Sequence, residues 1–316
     1  MPHWPRRLWQ DHASLLVVAA GVAAVGWSLP AELAQWEIGM TGLAQEWRGP
    51  RRLQAPVTIV AVDDFSLQQS AQADLSRDPL VRSIQNWPWP RAVQGEVLDR
   101  LYAAGARAVA FDLLFDTASS HGPDDDASLS RALQRHGKTS VLAAMVLESE
   151  GEVGGLALCL PLPLLRQAHP QLATGLLNGP LEGDGSIRRR PGDYALQVRR
   201  ELGDAVPPGL AVSLLDRGGG QDRSRPPALP GSWLPLLNPY GPPRSIPTLS
   251  IWQLLEPGSY AALRSSGRLR GQFVLIGPTA ALFQDLHRTP FSGAEGTAGV
   301  ELHATELANR LEGRSL

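Results

Sequence analysis

Cysteine and lysine are nearly missing from this chain of 316 residues: Cys159 is its single cysteine and Lys138 its single lysine. One cysteine excludes an internal disulfide framework and any iron–sulfur or multi-cysteine metal site built by one chain. One lysine leaves lysine-dependent chemistry a single candidate, in the polar turn His136-Gly137-Lys138. A surplus of charge is missing as well. The 29 basic and 31 acidic residues give a net charge of −2, which argues against a nucleic-acid partner, because such binding needs a basic face to release phosphate counterions. No Walker loop, glycine-rich dinucleotide fingerprint or Gly-x-Ser-x-Gly elbow occurs at a strand end, so nucleotide hydrolysis and elbow-type esterase chemistry lack support. Proline (27) and glycine (32) are plentiful, yet 43% of residues are hydrophobic, and a chain of this length then folds around a core without staples.

One segment stands apart from these averages. Residues 13–31 carry no charge and are rich in leucine and valine. At a helical rise of about 1.5 Å per residue they span roughly 28 Å, close to the hydrocarbon thickness of a bilayer. Trp4 and Trp9 before the segment, and Trp27 and Trp36 around its far end, suit the two interfacial belts. Arg6 and Arg7 precede it, which by the positive-inside rule keeps residues 1–12 cytoplasmic and puts everything after Pro30 outside. A cleaved signal peptide or a buried soluble helix are the alternatives. The first lacks a clean small-x-small site near 27–33, where Trp27, Leu29 and Pro30 intrude.

Residues 32–54 read as a juxtamembrane helix ending in a turn at Gly49-Pro50. Beyond it the chain reads as α/β, with a mostly parallel central sheet flanked by helices. Val57–Val62 and Ala108–Phe111 are continuous apolar runs, as expected of strands covered on both faces. A helix from Arg91 to the glycine stop at Gly105 joins them, so the two strands are expected to be parallel neighbours. Helix 127–136, strand 141–146, strand 273–276 and a last amphipathic helix over 300–311 complete the pattern. Residues 147–247 are weakly periodic, with short helices expected at 194–202 and 210–215 and a further candidate at 250–255.

In open α/β sheets ligands lie beyond the carboxyl ends of the strands. This topology places Asp63, Asp64, Asp112, Asp116 and the turn Gly277-Pro278-Thr279 at that edge. Carboxylates gathered there can hold a hard divalent cation or accept hydrogen bonds from a polar ligand; each can equally cap a helix or fix its own loop. Asp63 is followed by Asp64 and Phe65, so the second aspartate two positions on that a haloacid-dehalogenase-type phosphatase requires is absent. Trp87-Pro88-Trp89-Pro90-Arg91 is a stiff aromatic string leading into a helix, suited to lining a ligand site or packing over the sheet edge. His303 and Glu306 sit one helical turn apart, with Asp285 and His287 upstream, open to a metal or to packing. Arg188-Arg189-Arg190 is either an anion site or a solvated turn.

Several of these strings together resemble the type-2 CHASE extracellular sensor domain: Val57–Asp64, the Trp-Pro-Trp-Pro-Arg string at 87–91, Leu98–Asp116, Gly183-Asp184-Gly185-x-Ile187-Arg188-Arg189, Phe273–Gly277, Thr289-Pro290-Phe291 and Gly299–Ala304. The resemblance spans roughly 32–311. It implies a periplasmic or extracellular sensory module on one amino-terminal membrane helix (13–31), normally followed after residues 312–316 by further membrane helices and a cytoplasmic output. In this family the outputs are histidine kinases, nucleotide or diguanylate cyclases, or serine/threonine kinases, on the same chain or, for a short chain, on a partner. The expected protein is therefore a non-enzymatic receptor input, oligomeric through its membrane-proximal helices, with ligand and cofactors undefined. Its candidate recognition edge is Asp63, Asp64, Trp87, Trp89, Arg91, Asp112, Asp116 and Thr279. A membrane-anchored scaffold without a small ligand, and a divalent-metal-dependent hydrolase using the same aspartates, are the competing readings.

Overall fold

The computed structural model describes residues 30–71, 78–149, 155–224 and 236–314. The expected membrane segment, 13–31, lies outside the described residues except for Pro30 and Ala31. Among the described residues no helix is long and apolar enough to cross a membrane. Two units are present, one ending in helix α1 (Pro30–Arg48) and the other a body beginning at Gly49.

In chain order the body contains β1 (Val57–Val62), α2 (Asp64–Ser70), α3 (Arg91–Ala103), β2 (Ala108–Phe111), α4 (Pro123–His136), β3 (Ser140–Ser149), β4 (Gly155–Cys159) and β5 (Ala173–Leu176). It continues with α5 (Pro191–Leu202), α6 (Leu210–Arg217), β6 (Thr248–Ser250), α7 (Pro257–Ser266), β7 (Phe273–Pro278), the small hairpin β8 (Leu286–His287) and β9 (Thr297–Ala298), and α8 (Gly299–Glu312). The main sheet runs β4-β3-β2-β7-β1-β6, with β5 also paired to β3. Every pairing in it is parallel except β3 with β4. This is a mixed α/β fold with a mostly parallel central sheet flanked by helices.

The order corrects one expectation. β1 and β2 are parallel but not neighbours, because β7 lies between them and pairs with both. Its run Phe273-Val274-Leu275-Ile276 is apolar on both faces, which suits it to the centre of the sheet.

The alternation of side chains along the strands divides the core into two layers. Val60, Val62, Val109, Phe111, Val274 and Ile276 face a cluster built with α3, α4 and α7. Ile59, Ala61, Ala108, Ala110, Phe273 and Leu275 face the opposite cluster, built with α6 and α8. α3 begins after Pro90 with no side-chain cap of its own. The Asp125 carboxylate on α4 supplies one, accepting from the backbone N–H of Arg91 at 2.7 Å and of Ala92 at 2.8 Å. Burial raises the Asp125 carboxyl, but the bonds from Ser119, Ala92 and Arg91 together with His121 outweigh it, and the net direction is down.

α8 is unusual. Residues 299–310 are all buried, although they include Glu301, His303, Glu306, Asn309 and Arg310. Two of its polar side chains are matched by backbone donors: Glu301 accepts from the N–H of Arg244 at 2.8 Å, and Asn309 Oδ1 from the N–H of Asn238 at 2.8 Å. Gly277 allows the helix to lie this close to β7, since a Cβ there would stand 2.8 Å from Val300 Cβ.

Candidate functional site

The structure uses most of the residues expected at the recognition edge within the protein itself. Asp63 caps α2, accepting from the N–H of Ser66 at 2.9 Å while the Ser66 hydroxyl accepts from the N–H of Asp63 at 3.0 Å. The same carboxylate accepts from the Ser250 hydroxyl at 2.7 Å, which ties β1 to the edge strand β6. Asp64 sits exposed in the first turn of α2. The Arg91 guanidinium is buried, paired with Asp126 and donating to the Thr117 carbonyl. Asp116 is exposed and accepts from the Cys159 thiol at 3.1 Å; burial, and then Asp116, push that thiol up to about 11. Thr279 donates its backbone N–H to the Val62 carbonyl at 3.0 Å.

The two tryptophans pack. Trp89 is buried and meets Trp87 edge-on, with 5.4 Å between ring centroids. Trp87 in turn meets Phe283 edge-on at 5.0 Å. The three arginines at 188–190 are each paired, with Asp184, Glu182 and Asp193 respectively.

Asp112, of the expected set, lines a cavity. The cavity has a volume of about 530 Å³ and lies past the carboxyl ends of β2, β5 and β7, against the first turns of α8. That is the volume and the place expected of a small-molecule site in an open α/β fold. Its walls are apolar, formed by residues such as Leu113, Met145, Leu177, Phe283 and Leu302. Its polar groups are Asp112, Asn178, Gln284, Asp285, His287 and His303, and no lysine or arginine is among the described residues that line it.

Two buried atoms here have no hydrogen-bond partner, Asp112 Oδ2 and His303 Nδ1. Both side chains belong to residues more than nine-tenths buried. Unsatisfied polar atoms at such depth are rare and costly, and a site made to receive a ligand is one explanation. Burial, reinforced by the negative charge of Asp285, holds the Asp112 carboxyl well above the usual carboxylate range. Burial pulls His303 below its ordinary value, against the opposing pull of Glu306 and Asp285. The His303 ring is hydrogen-bonded to the Leu177 carbonyl. Nδ1 is the ring nitrogen left without a partner. His287 Nε2 lies 2.9 Å from Asp285 Oδ1.

Gln284 lines the same cavity with φ +55°, one of two described non-glycine residues in the left-handed region. Such conformations concentrate at functional sites. No group of three or more His, Cys, Asp or Glu among the described residues is placed to hold a metal ion. His303 and Glu306 likewise form no such group.

Sequence reasoning did not find Met145, Leu177, Asn178, Phe283 or Leu302 as lining residues. Asn178 carried a signal only in three dimensions: its side chain brackets the β3 backbone, Oδ1 accepting from Val146 N–H at 2.7 Å and Nδ2 donating to Val146 O at 2.9 Å.

Comparison with known proteins gives one match. The family model described as CHASE2 domain matches residues 15–316. No curated protein and no solved structure gives a significant match.

Proposed function

The chain belongs to the CHASE2 domain family, whose members are sensory, non-catalytic domains, and from that premise we propose that it is the extracytoplasmic input of a membrane receptor. In this reading the body senses a small ligand in the cavity at Asp112 and His303. It passes the signal to a kinase or cyclase output, on the same chain or on a partner.

The observation that carries the proposal is the path of α8. Its first residues, Gly299, Leu302 and His303, line the cavity. Its last residue, Glu312, holds the entry to the body: Oε1 accepts from the N–H of Gln54 at 2.8 Å and of Ala55 at 2.9 Å. Oε2 lies 3.7 Å from Arg51 Nη1. One buried helix thus touches the ligand cavity at one end and the segment just after α1 at the other. A ligand that favours one position of α8 biases both chain ends of the body.

Glu312→Ala removes the shared acceptor. Amide exchange at Gln54 and Ala55 is expected to quicken about tenfold or more, as loss of charge-assisted bonds implies. In the native membrane system the output is expected to shift from its wild-type level while the protein stays folded. An unchanged output from a folded variant with quickened exchange would count against α8 as the route.

Membrane placement has its own test. A reporter active only outside the cytoplasm, fused after Glu46, is expected to be active, and cytoplasmic activity at that fusion would overturn the topology.

The partner in assembly is a second copy of the chain. On α1, Trp36, Met40, Leu43 and Trp47 are exposed and step by four, three and four. That spacing forms a self-complementary coiled-coil stripe. The same stripe favours the second reading, an assembly module without a small ligand.

A further inference from the structure

We infer that the cavity at Asp112 takes an organic cation, an ammonium group carried on an apolar body. This rests on the cavity being the sensory site and goes on to name the chemistry of its ligand. Three candidate acceptors belong to residues that line the space: the unpartnered Asp112 Oδ2, the unpartnered His303 Nδ1, and the Asp285 carboxylate. An ammonium presents three N–H donors and a positive charge, which matches acceptors of these kinds.

Charge excludes the other classes. The titratable groups around the site are Asp112, Asp285, His287 and His303, with Glu306 one turn further along α8. No lysine or arginine among the described lining residues offers a carboxylate or phosphate ligand a countercharge. No group of three or more His, Cys, Asp or Glu among the described residues is placed to hold a bare metal ion. An organic ammonium needs no such cluster, since it binds through individual hydrogen bonds. The walls of Leu113, Met145, Leu177, Phe283 and Leu302 then accept its apolar part, and the exposed mouth at Leu181 gives it entry. Burial and Asp285 both disfavour a lone carboxylate at Asp112, and an ammonium partner removes that penalty.

The test uses the purified full chain in detergent, with four probes of known identity: phenethylamine, 2-phenylethanol, 3-phenylpropionate and magnesium chloride. Phenethylamine is expected to bind and raise the thermal midpoint, with the other three giving no shift. Asp112→Asn keeps the shape and removes the charge. It is expected to fold at least as stably as the wild type, because it relieves a buried, unpaired acid, and to bind phenethylamine at least about tenfold more weakly, as loss of a charged hydrogen bond implies.

If the alcohol or the acid binds as well as the amine, or if Asp112→Asn binds the amine undiminished, the cation inference fails and the cavity stands as a site. Magnesium alone stabilising the protein would also overturn it. If no probe of any class binds, the sensory reading of this cavity falls with it.

Discussion

Arg310→Ala is expected to lower the stability of the body by about 3–5 kcal/mol, the cost of breaking a buried ion pair from one side. The Arg310 guanidinium sits on α8 and donates to Glu306 Oε1 from Nε at 2.9 Å and from Nη2 at 2.7 Å. It also donates to Asp222 Oδ2 at 2.8 Å and lies 3.5 Å from Asp193 Oδ1. Glu306 is completely buried, and its other oxygen accepts from the N–H of Gly192 at 2.7 Å. Arg190 pairs with Asp193 at 2.8 Å and cannot serve both acids. Without Arg310, therefore, Glu306 is left buried with no cation beside it.

A loss of that size is a large part of the 5–15 kcal/mol that holds a typical domain together. Denaturant unfolding of the purified chain measures it. The double change Arg310→Met with Glu306→Gln is expected to cost less than Arg310→Ala alone. It removes both charges and leaves an amide oxygen for Gly192. A loss below about 1 kcal/mol for Arg310→Ala would mean that solvent reaches Glu306, contrary to its burial.

Arg91→Ala is expected to cost about 3 kcal/mol or more by the same mechanism, and the outcome decides between recognition and architecture for that residue. The sequence places Arg91 at the candidate ligand edge; the structure places it against Asp126, the Thr117 carbonyl and the Phe115 ring, 5.4 Å from the ring centre. Asp126 is only 4% exposed. Arg91→Lys is expected to recover little, because one ammonium cannot reproduce a fork whose two terminal nitrogens reach different partners. Asp64→Ala is the control. Its side chain is exposed, and the expected change is within about 0.5 kcal/mol. If Arg91→Ala unfolds at the wild-type denaturant midpoint, the guanidinium is dispensable to the fold and its place at a recognition edge is restored.

These two arginines show where sequence and structure part. Both lie on helices, where charged side chains are ordinarily placed on the solvated face. What buries them is a second element laid across the helix: α5 and the 236–246 segment across α8, the 113–119 loop across the start of α3. That covering comes from residues a hundred or more positions away in the case of α5 over α8, and no local period records it.

The amino-acid sequence alone determined the elements whose stability is local or strongly patterned. The short, unbroken apolar runs of β1, β2 and β7 read as strands buried on both faces. Gly105, with φ +91° beyond the end of α3, takes a backbone conformation that other residues resist. The motif string that resembles a CHASE domain likewise carried the family. β4, β5 and β6 left no such mark. β5 is Ala173-Thr174-Gly175-Leu176, too short and too poor in β-branched residues to read as a strand, and it exists because β3 offers it an open edge.

The site divides on the same line. The acids at the ends of β1 and β2 were legible, since a parallel sheet gathers the residues after all its strands at one edge. Their separation was not. With β7 between β1 and β2, Asp63 and Asp112 stand two strand spacings apart, about 10 Å, and cannot share one ligand atom. Strand order depends on which long-range pairings bury the most apolar surface, and that is settled only when the whole chain is assembled. The tertiary structure therefore decided that Asp63 caps α2, that Arg91 is buried against Asp126, and that Asp112 and His303 line one cavity.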